Sequence, residues 1–501
     1  MAEVGAARHA AREVDNPYGA APMVDHGVVA DPHDGDVDLS HPRRIHLIGV
    51  GGPGINALAS VLVAMGHQVT GSDLKESAGL DRLRSQGVEV FVGHRPEHVS
   101  DVELVGRSTA VTEHNVEVRA ARSRQLPVLS RADMLAGICA QKATLAVGGT
   151  HGKTTTTAMA AVAMVEAGLG PSYLVGGDMN EIGSGAVWDP DGEWFVVEAD
   201  RSDGTHLRLG PSAVVVTNIE PDHLDLVERV EDLEAAFSEF AAGAGRMRLF
   251  CADDAGAARV ASRLGATTYG VAEGSDWRIS EVQGDGDGSA FSLHDPSGRR
   301  LRVRLPVPGL HNVRNAVAAL AATITLGGDA EAAVAALARF AGVARRFEFR
   351  GEAAGVTVVD DYAHLPTEVR STLQAAAQGG WRRVVAVFQA HRYRSVQCFW
   401  RQFGQSFDAA DVVVVVEPHP GFEETPPPGL SGMLLVRGVL EHRPHAEVAY
   451  VPHRDGLRRY LLDRLREGDI CVLMQAGGAL TDFPDDLLDG LAGRRERAGA
   501  A

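Results

Sequence analysis

Short apolar runs alternate with longer alanine-rich segments along most of this 501-residue chain. Runs such as 143–147 and 412–416 have the length of strands buried on both faces, and the segments between them have the length of helices. Strands and helices in alternation are typical of parallel sheets covered by helices. The pattern therefore predicts an α/β fold.

The alternation divides into three blocks between two polar ends. We predict a Rossmann-like domain over 41–140, a central domain with a P-loop ATPase-type parallel sheet over 141–343, and a second Rossmann-like domain over 344–490. Strands of the third block are predicted at 356–359, 384–388, 412–416 and 470–474. Residues 1–40 show no periodicity and no apolar signal-peptide core, so they are predicted to be a disordered tail, and 491–501 a frayed one.

Composition narrows the function classes. A net charge of −18 argues against a nucleic-acid partner, because such partners are held by clustered cations. No apolar stretch is long enough to insert into a membrane. The four cysteines are isolated, which favours small core residues in a reducing compartment. We therefore expect a cytoplasmic enzyme. A monomer or weak homodimer is our expectation for its assembly, although no feature of the composition fixes it.

One of the three lysines follows a glycine turn between a strand and a helix. The residues from Gly149 to Thr155 are Gly-Thr-His-Gly-Lys-Thr-Thr. In such a loop, backbone N–H groups hold phosphate oxygens, the Lys153 ammonium reaches the terminal phosphates and the Thr154 hydroxyl ligates Mg²⁺. The alternative is a simple glycine-rich turn, since Val147 replaces a glycine of the general pattern. We predict ATP binding by Gly149, Thr150, His151, Gly152, Lys153, Thr154 and Thr155.

A second glycine-rich turn opens the first block. Gly51, Gly52 and Gly54 follow a predicted strand, and Asp73 ends the next one, which is the spacing of a dinucleotide fingerprint. The bound pyrophosphate could belong to NAD or to a nucleotide-sugar. The glycines could also serve only tight packing of the strand against the helix.

Two further strand ends in the central block carry candidate metal ligands. Glu198 and His223 follow predicted strands, and the carboxyl ends of parallel strands share one edge of a sheet. Glu198 with Thr154 suits Mg²⁺, and His223 could serve a second ion. Acids and histidines at strand ends are also ordinary helix caps. We nevertheless assign Lys153, Glu198 and His223 as catalytic.

Other polar clusters suggest contacts for the remaining substrate groups. Asn312 and Asn315 share one face of a predicted helix and could bind an adenine edge, or could merely cap that helix. Arg346 lies where the second and third blocks meet and could move onto a phosphate. The strand ends near His364 and Arg392 form a polar rim suited to a small carboxylated substrate.

Together these motifs resemble the Mur ligase family over about residues 43–490. The shared motifs are Gly149–Thr155, Glu198-Ala-Asp200, Thr217-Asn-Ile-Glu220 with Asp222-His223, His311-Asn312 with Asn315, Arg345-Arg-Phe-Glu348 and Asp360-Asp-Tyr-Ala-His364. The resemblance implies an ATP- and Mg²⁺-dependent ligase that joins L-alanine to UDP-N-acetylmuramate through an acyl phosphate. It further implies that Asp361 binds the ribose and that Arg346 binds the departing phosphate. The UDP-sugar would be bound by Gly51, Gly52, Gly54 and Asp73. The amino acid would be oriented by Tyr362, His364 and Arg392.

Several positions depart from the family motifs. Arg201 replaces an acid next to Glu198-Ala-Asp, and Leu365 replaces a second histidine after His364. The second arginine after His391 is shifted by one place to Arg394, and Gly478 replaces an acid near the end of the third block. These departures leave two alternatives open, a divergent relative that uses another amino acid or acceptor and a non-catalytic nucleotide-binding protein. An NAD dehydrogenase would need hydride-transfer residues that the sequence does not display.

Overall fold

The computed structural model describes residues 37–177, 179–180, 185–201, 204–221, 229–285, 288–421, 426–478 and 480–499. In this part of the chain the strands form three sheets. The first is wholly parallel, in the order β3-β2-β1-β4-β5, and follows the Rossmann-like prediction. Its strands are β1 (Arg44–Ile48), β2 (Gln68–Asp73), β3 (Glu89–Val92), β4 (Leu104–Arg107) and β5 (Val128–Ser130), and its helices are α1 (Pro53–Ala64), α2 (Ala78–Ser85), α3 (Val116–Ser123) and α4 (Arg131–Cys139), with a 3₁₀ turn at Pro96–Val99.

The central sheet has a parallel middle and antiparallel edges, in the order β15-β14-β13-β12-β11-β10-β6-β9-β7-β8. Strands β13 and β14 pair antiparallel. The strands are β6 (Ala143–Gly148), β7 (Ser172–Leu174), β8 (Ala186–Val187), β9 (Trp194–Glu198), β10 (Ala213–Val216), β11 (Met247–Cys251), β12 (Thr267–Gly270), β13 (Trp277–Asp285), β14 (Gly288–His294) and β15 (Arg300–Leu305). The helices are α5 (Lys153–Glu166), α6 (Val230–Ala242), α7 (Ala255–Leu264), α8 (Leu310–Thr325) and α9 (Ala330–Leu337), with a 3₁₀ turn at Thr205–Leu207.

The third sheet runs in the order β16-β17-β21-β18-β19-β20 and is parallel except at its β16 edge. The last strand of the chain is inserted between β17 and β18, so strand ends far apart in sequence become neighbours. The strands are β16 (Glu348–Ala353), β17 (Val356–Asp361), β18 (Arg383–Gln389), β19 (Val412–Val415), β20 (Glu447–Tyr450) and β21 (Asp469–Gln475). The helices are α10 (Pro366–Ala377), α11 (Tyr393–Ser406), α12 (Met433–His442), α13 (Arg454–Arg464) and α14 (Phe483–Gly499).

Packing explains this architecture and corrects three expectations. Of the predicted tail, only 37–40 is described, and there Leu39 is buried with the core residues of the first sheet. The chain end expected to be frayed is helical as far as Gly499, because Leu487 and Leu491 on α14 pack into the core beneath the third sheet. Cys398 is exposed, whereas the other cysteines are buried as predicted. No helix in the described part of the chain is both long and apolar enough to cross a membrane.

Candidate active site

The glycine-rich loop between β6 and α5 has the predicted strand–loop–helix geometry. Gly152 adopts a left-handed conformation (φ 77°) directly before Lys153, the first residue of α5. A Cβ on Gly152 would lie 2.7 Å from Asn315 Oδ1, and one on Gly149 (φ 133°) would overlap the Thr217 hydroxyl. Both glycines are therefore required by backbone conformation and by close neighbours. The Lys153 ammonium donates to the carbonyl of Thr150 at 3.1 Å and so lies over the loop.

The residues that follow β10 fix the path of this loop. The Thr150 hydroxyl donates to the Glu220 carbonyl at 2.9 Å and accepts the Glu220 N–H at 3.0 Å. The side chain of Asn218 accepts the His151 N–H at 2.8 Å and donates to the His151 carbonyl at 3.1 Å. Each of these hydrogen bonds joins a short side chain to a backbone group, so the loop keeps this conformation without a bound nucleotide.

The predicted metal ligands Thr154 and Glu198 meet at the carboxyl ends of neighbouring strands β6 and β9. The Thr154 hydroxyl donates to Glu198 Oε2 at 2.9 Å. A Cβ on Gly176 would overlap that carboxylate oxygen and lie 3.3 Å from the Thr154 hydroxyl, so this glycine keeps space open beside both oxygens. Hard oxygen donors beside an open space fit Mg²⁺. His223, the third predicted ligand, lies outside the described residues.

A pocket beside the loop is lined by residues of the segment after β10, of β11, β12 and α8, and of the third domain. Asn312 and Asn315 both lie there, buried, and Asn315 Nδ2 donates to Asn312 Oδ1 at 3.4 Å. Asn312 also donates to the Pro308 carbonyl at 2.8 Å, so part of its hydrogen-bonding capacity serves the start of α8. Sequence reasoning missed two other residues that line this pocket, Cys251 and Tyr269.

His151 connects the loop to the third domain through carboxylates. Its Nδ1 lies 3.2 Å from Glu368 Oε1 on α10, and its Nε2 lies 3.5 Å from Glu220 Oε2. Thr367 adds a second link, since its hydroxyl donates to Glu220 at 2.7 Å. Burial opposes protonation of His151, but the charges of Glu368 and Glu220 outweigh it and raise the pKa of the imidazole to about 10. The imidazolium therefore stays charged at neutral pH.

The junction of the second and third domains surrounds Tyr362. The guanidinium groups of Arg345 and Arg346 lie over its ring at 5.0 and 4.9 Å from the centroid. Arg346 also donates to the Thr154 hydroxyl at 3.3 Å, which places it beside the phosphate loop. Asp361 lines the same pocket, although its carboxylate accepts the N–H groups of Phe347 and Ala363, both at 2.7 Å. Burial raises the pKa of Asp361 to about 6, with Arg346 opposing.

The polar rim of the third domain lies at the carboxyl ends of its strands. His364 follows β17 and His391 follows β18, and their ring centroids are 6.0 Å apart. Tyr362 packs edge-to-face on His364 at 5.5 Å. Arg392, the residue before α11, has φ 70° and donates its N–H to the His419 carbonyl at 2.7 Å. The structure thus brings the three predicted amino-acid contacts to one edge of the sheet.

The glycine turn of the first domain joins β1 to α1 as predicted. Gly51 donates its N–H to Asp73 Oδ2 at 2.8 Å, so part of the Asp73 carboxylate holds this turn. A Cβ on Gly54 would lie 2.7 Å from Arg131 Nε, and Gly52 is the residue that precedes α1. Beneath the turn, buried Glu117 accepts from Ser72 at 2.6 Å and contacts His94 and His98 at 2.8 and 2.6 Å.

The residues that the sequence analysis missed share one property. Glu368, Cys251, Tyr269 and Glu117 acquire their neighbours from elements distant in the chain. Glu368 also has an ordinary local role, because it accepts the N–H groups of His364 and Leu365 at the start of α10. The position of Glu368, three residues after Leu365 at the start of the helix, therefore predicts a helix cap. Nothing in the sequence predicts its contact with His151.

Comparison with known proteins agrees with this geometry. Three family models match the chain: "Mur ligase family, catalytic domain" at residues 44–143, "Mur ligase middle domain" at 147–323 and "Mur ligase, glutamate ligase domain" at 345–477. A UDP-N-acetylmuramate–L-alanine ligase of Rubrobacter xylanophilus is 43% identical over 87% of this chain and 97% of its own length. One of Kineococcus radiotolerans is 42% identical over 89% of this chain and 95% of its own.

A solved structure extends the comparison to three dimensions. The crystal structure of the UDP-N-acetylmuramate–alanine ligase of Thermotoga maritima is 27% identical, with a TM-score of 0.74 over 91% of this chain and 99% of the other. Family models over most of the chain and relatives above 40% identity agree with a phosphate loop and three α/β sheets in the expected order. The chain belongs to the Mur ligase family and is an ATP-dependent ligase of the acid–amino-acid type.

Proposed function

We propose that this ligase joins L-alanine to the lactyl carboxylate of UDP-N-acetylmuramate, a step of peptidoglycan precursor synthesis in the cytoplasm. The observation that carries the proposal is a phosphate loop in which Lys153 lies over the backbone and Thr154 contacts Glu198, with a polar rim on the adjoining domain. Relatives about 40% identical over nearly 90% of the chain, named for this reaction, support the choice of substrates.

The reaction needs two displacements. In the first, a carboxylate oxygen of the sugar attacks the γ-phosphorus of ATP, the bond to the β-phosphate oxygen breaks, and ADP leaves an acyl phosphate. In the second, the amine of alanine attacks the acyl carbon, loses a proton, and the bond to phosphate breaks to give an amide. Phosphoryl transfer depends mainly on positioning and on neutralising charge. The Lys153 ammonium and the Arg346 guanidinium, both at the loop, are the cations we assign to that task.

Magnesium belongs to the proposal as well. Thr154 and Glu198 would hold it, with His223 as the predicted ligand of a second ion, and Gly176 leaves room for it. When bound, the ion would neutralise phosphate charge that this acidic protein would otherwise repel. We assign the buried pair Asn312 and Asn315 to adenine and Asp361, in the same pocket, to the ribose.

The remaining assignments concern the acceptor and the amino acid. The turn at Gly51, Gly52 and Gly54, backed by Asp73, would hold the pyrophosphate of the UDP-sugar at the start of α1. Tyr362, His364 and Arg392 would orient the amino acid, because the Tyr362 and His364 rings pack together at that rim and the backbone of Arg392 lies at the same edge of the sheet. Closure of the third domain over the loop would exclude water from the acyl phosphate.

Phosphate release tests the proposal directly. The purified chain is mixed with ATP and Mg²⁺, with and without UDP-N-acetylmuramate and each of a panel of amino acids. We expect release only when both the sugar and L-alanine are present, and at least a 1,000-fold lower rate for Lys153→Ala, a loss of about 4 kcal/mol of transition-state stabilisation. A clear preference for another amino acid would favour the divergent relative. ATP binding by calorimetry without any substrate-dependent release would favour the non-catalytic alternative.

A further inference from the structure

A row of imidazole rings lies along the carboxyl edge of the third sheet. His364, His391 and His419 follow β17, β18 and β19, and Gly478 follows β21. The centroids of His364 and His391 are 6.0 Å apart with perpendicular rings, and those of His391 and His419 are 5.6 Å apart with rings 11° from parallel. His419 therefore extends the predicted amino-acid rim by one strand, although no motif pointed to it.

Gly478 creates the space that His419 occupies. A Cβ on Gly478 would overlap Cδ2 of the His419 ring and lie 2.7 Å from its Nε2, and the residue has φ 90°. The neighbouring Gly477 has φ 133° and would place its Cβ in open space. Position 478 is one of the departures from the family motifs, where an acid is expected. Any side chain there would displace the imidazole, so the glycine and the histidine form one structural unit.

Hydrogen bonds fix which nitrogen of each neutral ring carries the proton. Gly421 donates its N–H to His419 Nδ1 at 3.0 Å, so the proton of neutral His419 is on Nε2, which becomes a donor. Among described residues, which omit 422–425 and 479, Nε2 has no hydrogen-bond partner. His364 is the reverse case, because its Nδ1 lies 3.0 Å from the Tyr362 carbonyl and 3.2 Å from Glu368 Oε2 and so donates; in the neutral ring, Nε2 then carries the lone pair. The row thus presents an acceptor at one end and a donor at the other.

An α-amino acid carries complementary groups on one carbon, an amine and a carboxylate. The second arginine of the family motif is shifted here, and the serine in its place, Ser395, has a buried hydroxyl without a hydrogen-bond partner. A carboxylate at this rim therefore has one guanidinium fewer from that motif. The backbone carbonyl of His419 accepts the backbone N–H of Arg392 at 2.7 Å, so the main chains of these two residues are held side by side at the rim.

We propose that His419 is a specificity-determining residue of the amino-acid site, whose Nε2–H donates to the carboxylate of the incoming α-amino acid. The inference rests on the proposed function and deepens it. His419 supplies a directional donor at this rim, and Gly478 makes its position sterically possible.

Steady-state kinetics of the full chain test the role of His419. For His419→Ala we expect the KM for L-alanine to rise about ten- to a hundred-fold, the range for losing a hydrogen bond to a charged group. The KM values for ATP and UDP-N-acetylmuramate, and kcat at saturating alanine, should stay within about threefold. His419→Gln keeps a nitrogen donor of similar reach and should recover most of the alanine affinity. An unchanged KM for alanine, or equal rises for all three substrates, would overturn the proposal.

The two adjacent glycines supply a matched pair. Gly477→Ala and Gly478→Ala both force alanine into a left-handed conformation, but only the second meets the imidazole. We expect the alanine KM to rise with Gly478→Ala and not with Gly477→Ala, and the double variant Gly478→Ala/His419→Ala to resemble His419→Ala alone. Equal effects of the two glycine changes, or additive effects in the double variant, would refute the claim that Gly478 acts through the position of His419. A wild-type chain that makes no product from alanine and the sugar would instead refute the proposed function.

Discussion

The buried imidazolium of His151 links the phosphate loop to the third domain through Glu368. Replacing this residue should therefore lower the free energy of unfolding. Replacing His151 by asparagine leaves Glu368 and Glu220 facing each other without the cation between them. Breaking a buried ion pair by removing one partner typically costs about 3–5 kcal/mol. The pKa gives a similar figure, because a shift from about 6.5 in the unfolded chain to about 10 corresponds to about 5 kcal/mol.

The pH dependence identifies the cause of that loss. A histidine whose pKa is raised on folding stabilises the protein fully below its unfolded pKa, about 6.5, and that stabilisation is lost as the pH rises through about 10. The difference in unfolding free energy between wild type and His151→Asn should therefore be about 3–5 kcal/mol near pH 6.5 and below about 1 kcal/mol at pH 10.5.

Equilibrium urea unfolding, followed by far-UV circular dichroism and tryptophan fluorescence, measures this difference when the two probes give coincident transitions. Thr367→Val is the matched control, because it removes the 2.7 Å hydrogen bond to Glu220 from the same interface but no charge. It should cost about 1 kcal/mol. That cost should be similar at both pH values. A His151→Asn effect that is equally large at pH 6.5 and 10.5 would refute the electrostatic explanation.

Three further changes test other parts of the structure. Gly176→Ala should raise the Mg²⁺ concentration for half-maximal phosphate release at least tenfold. The control Gly177→Ala, whose Cβ would lie 3.1 Å from an apolar methyl group, should leave this concentration unchanged. Equal responses of the two variants would argue against the metal assignment. Asn315→Ala should raise the KM for ATP about tenfold in steady-state kinetics, the order expected for one lost buried hydrogen bond, and leave the KM for alanine unchanged. Burial alone would raise the pKa of Glu117, but hydrogen bonds from imidazoles and a hydroxyl lower this pKa to about 2. The ionised Glu117 carboxylate therefore stabilises the folded protein above about pH 4.5, and this stabilisation is lost as the pH falls through about 2. Glu117→Gln should therefore cost about 3 kcal/mol at pH 7 and less at pH 3 in urea unfolding, and a constant cost would contradict this.

Much of the nucleotide half of the site could be predicted because its signals are local. The loop from Gly149 to Thr155 lies between a strand and a helix, and that order is visible in the sequence. The meeting of Thr154 with Glu198 followed from one topological rule, that the carboxyl ends of parallel strands share an edge. The roles of these residues, the domain boundaries and the oligomeric state remain predictions.

The rest depends on which distant strands become neighbours. Inserting β21 between β17 and β18 brings Gly478 next to the histidine row, and no local pattern fixes that order. The contact of His151 with Glu368 likewise spans two domains, and each residue has a plausible local role in the sequence. A buried cluster such as the one around Glu117 also gives no periodic signal, since its members come from separate elements.

The two halves of the site differ in how they are held, and this difference accounts for the departures in the third domain. Backbone groups and short side chains with paired hydrogen bonds hold the phosphate loop, so a substitution there would leave buried donors or acceptors unpaired. Ring packing and single hydrogen bonds from separate strand ends hold the amino-acid rim. A smaller residue at one position can therefore be compensated by a larger side chain at a neighbouring position. Gly478 and His419 are such an exchange. Divergence in this ligase is therefore expected to change amino-acid recognition before it changes the use of ATP.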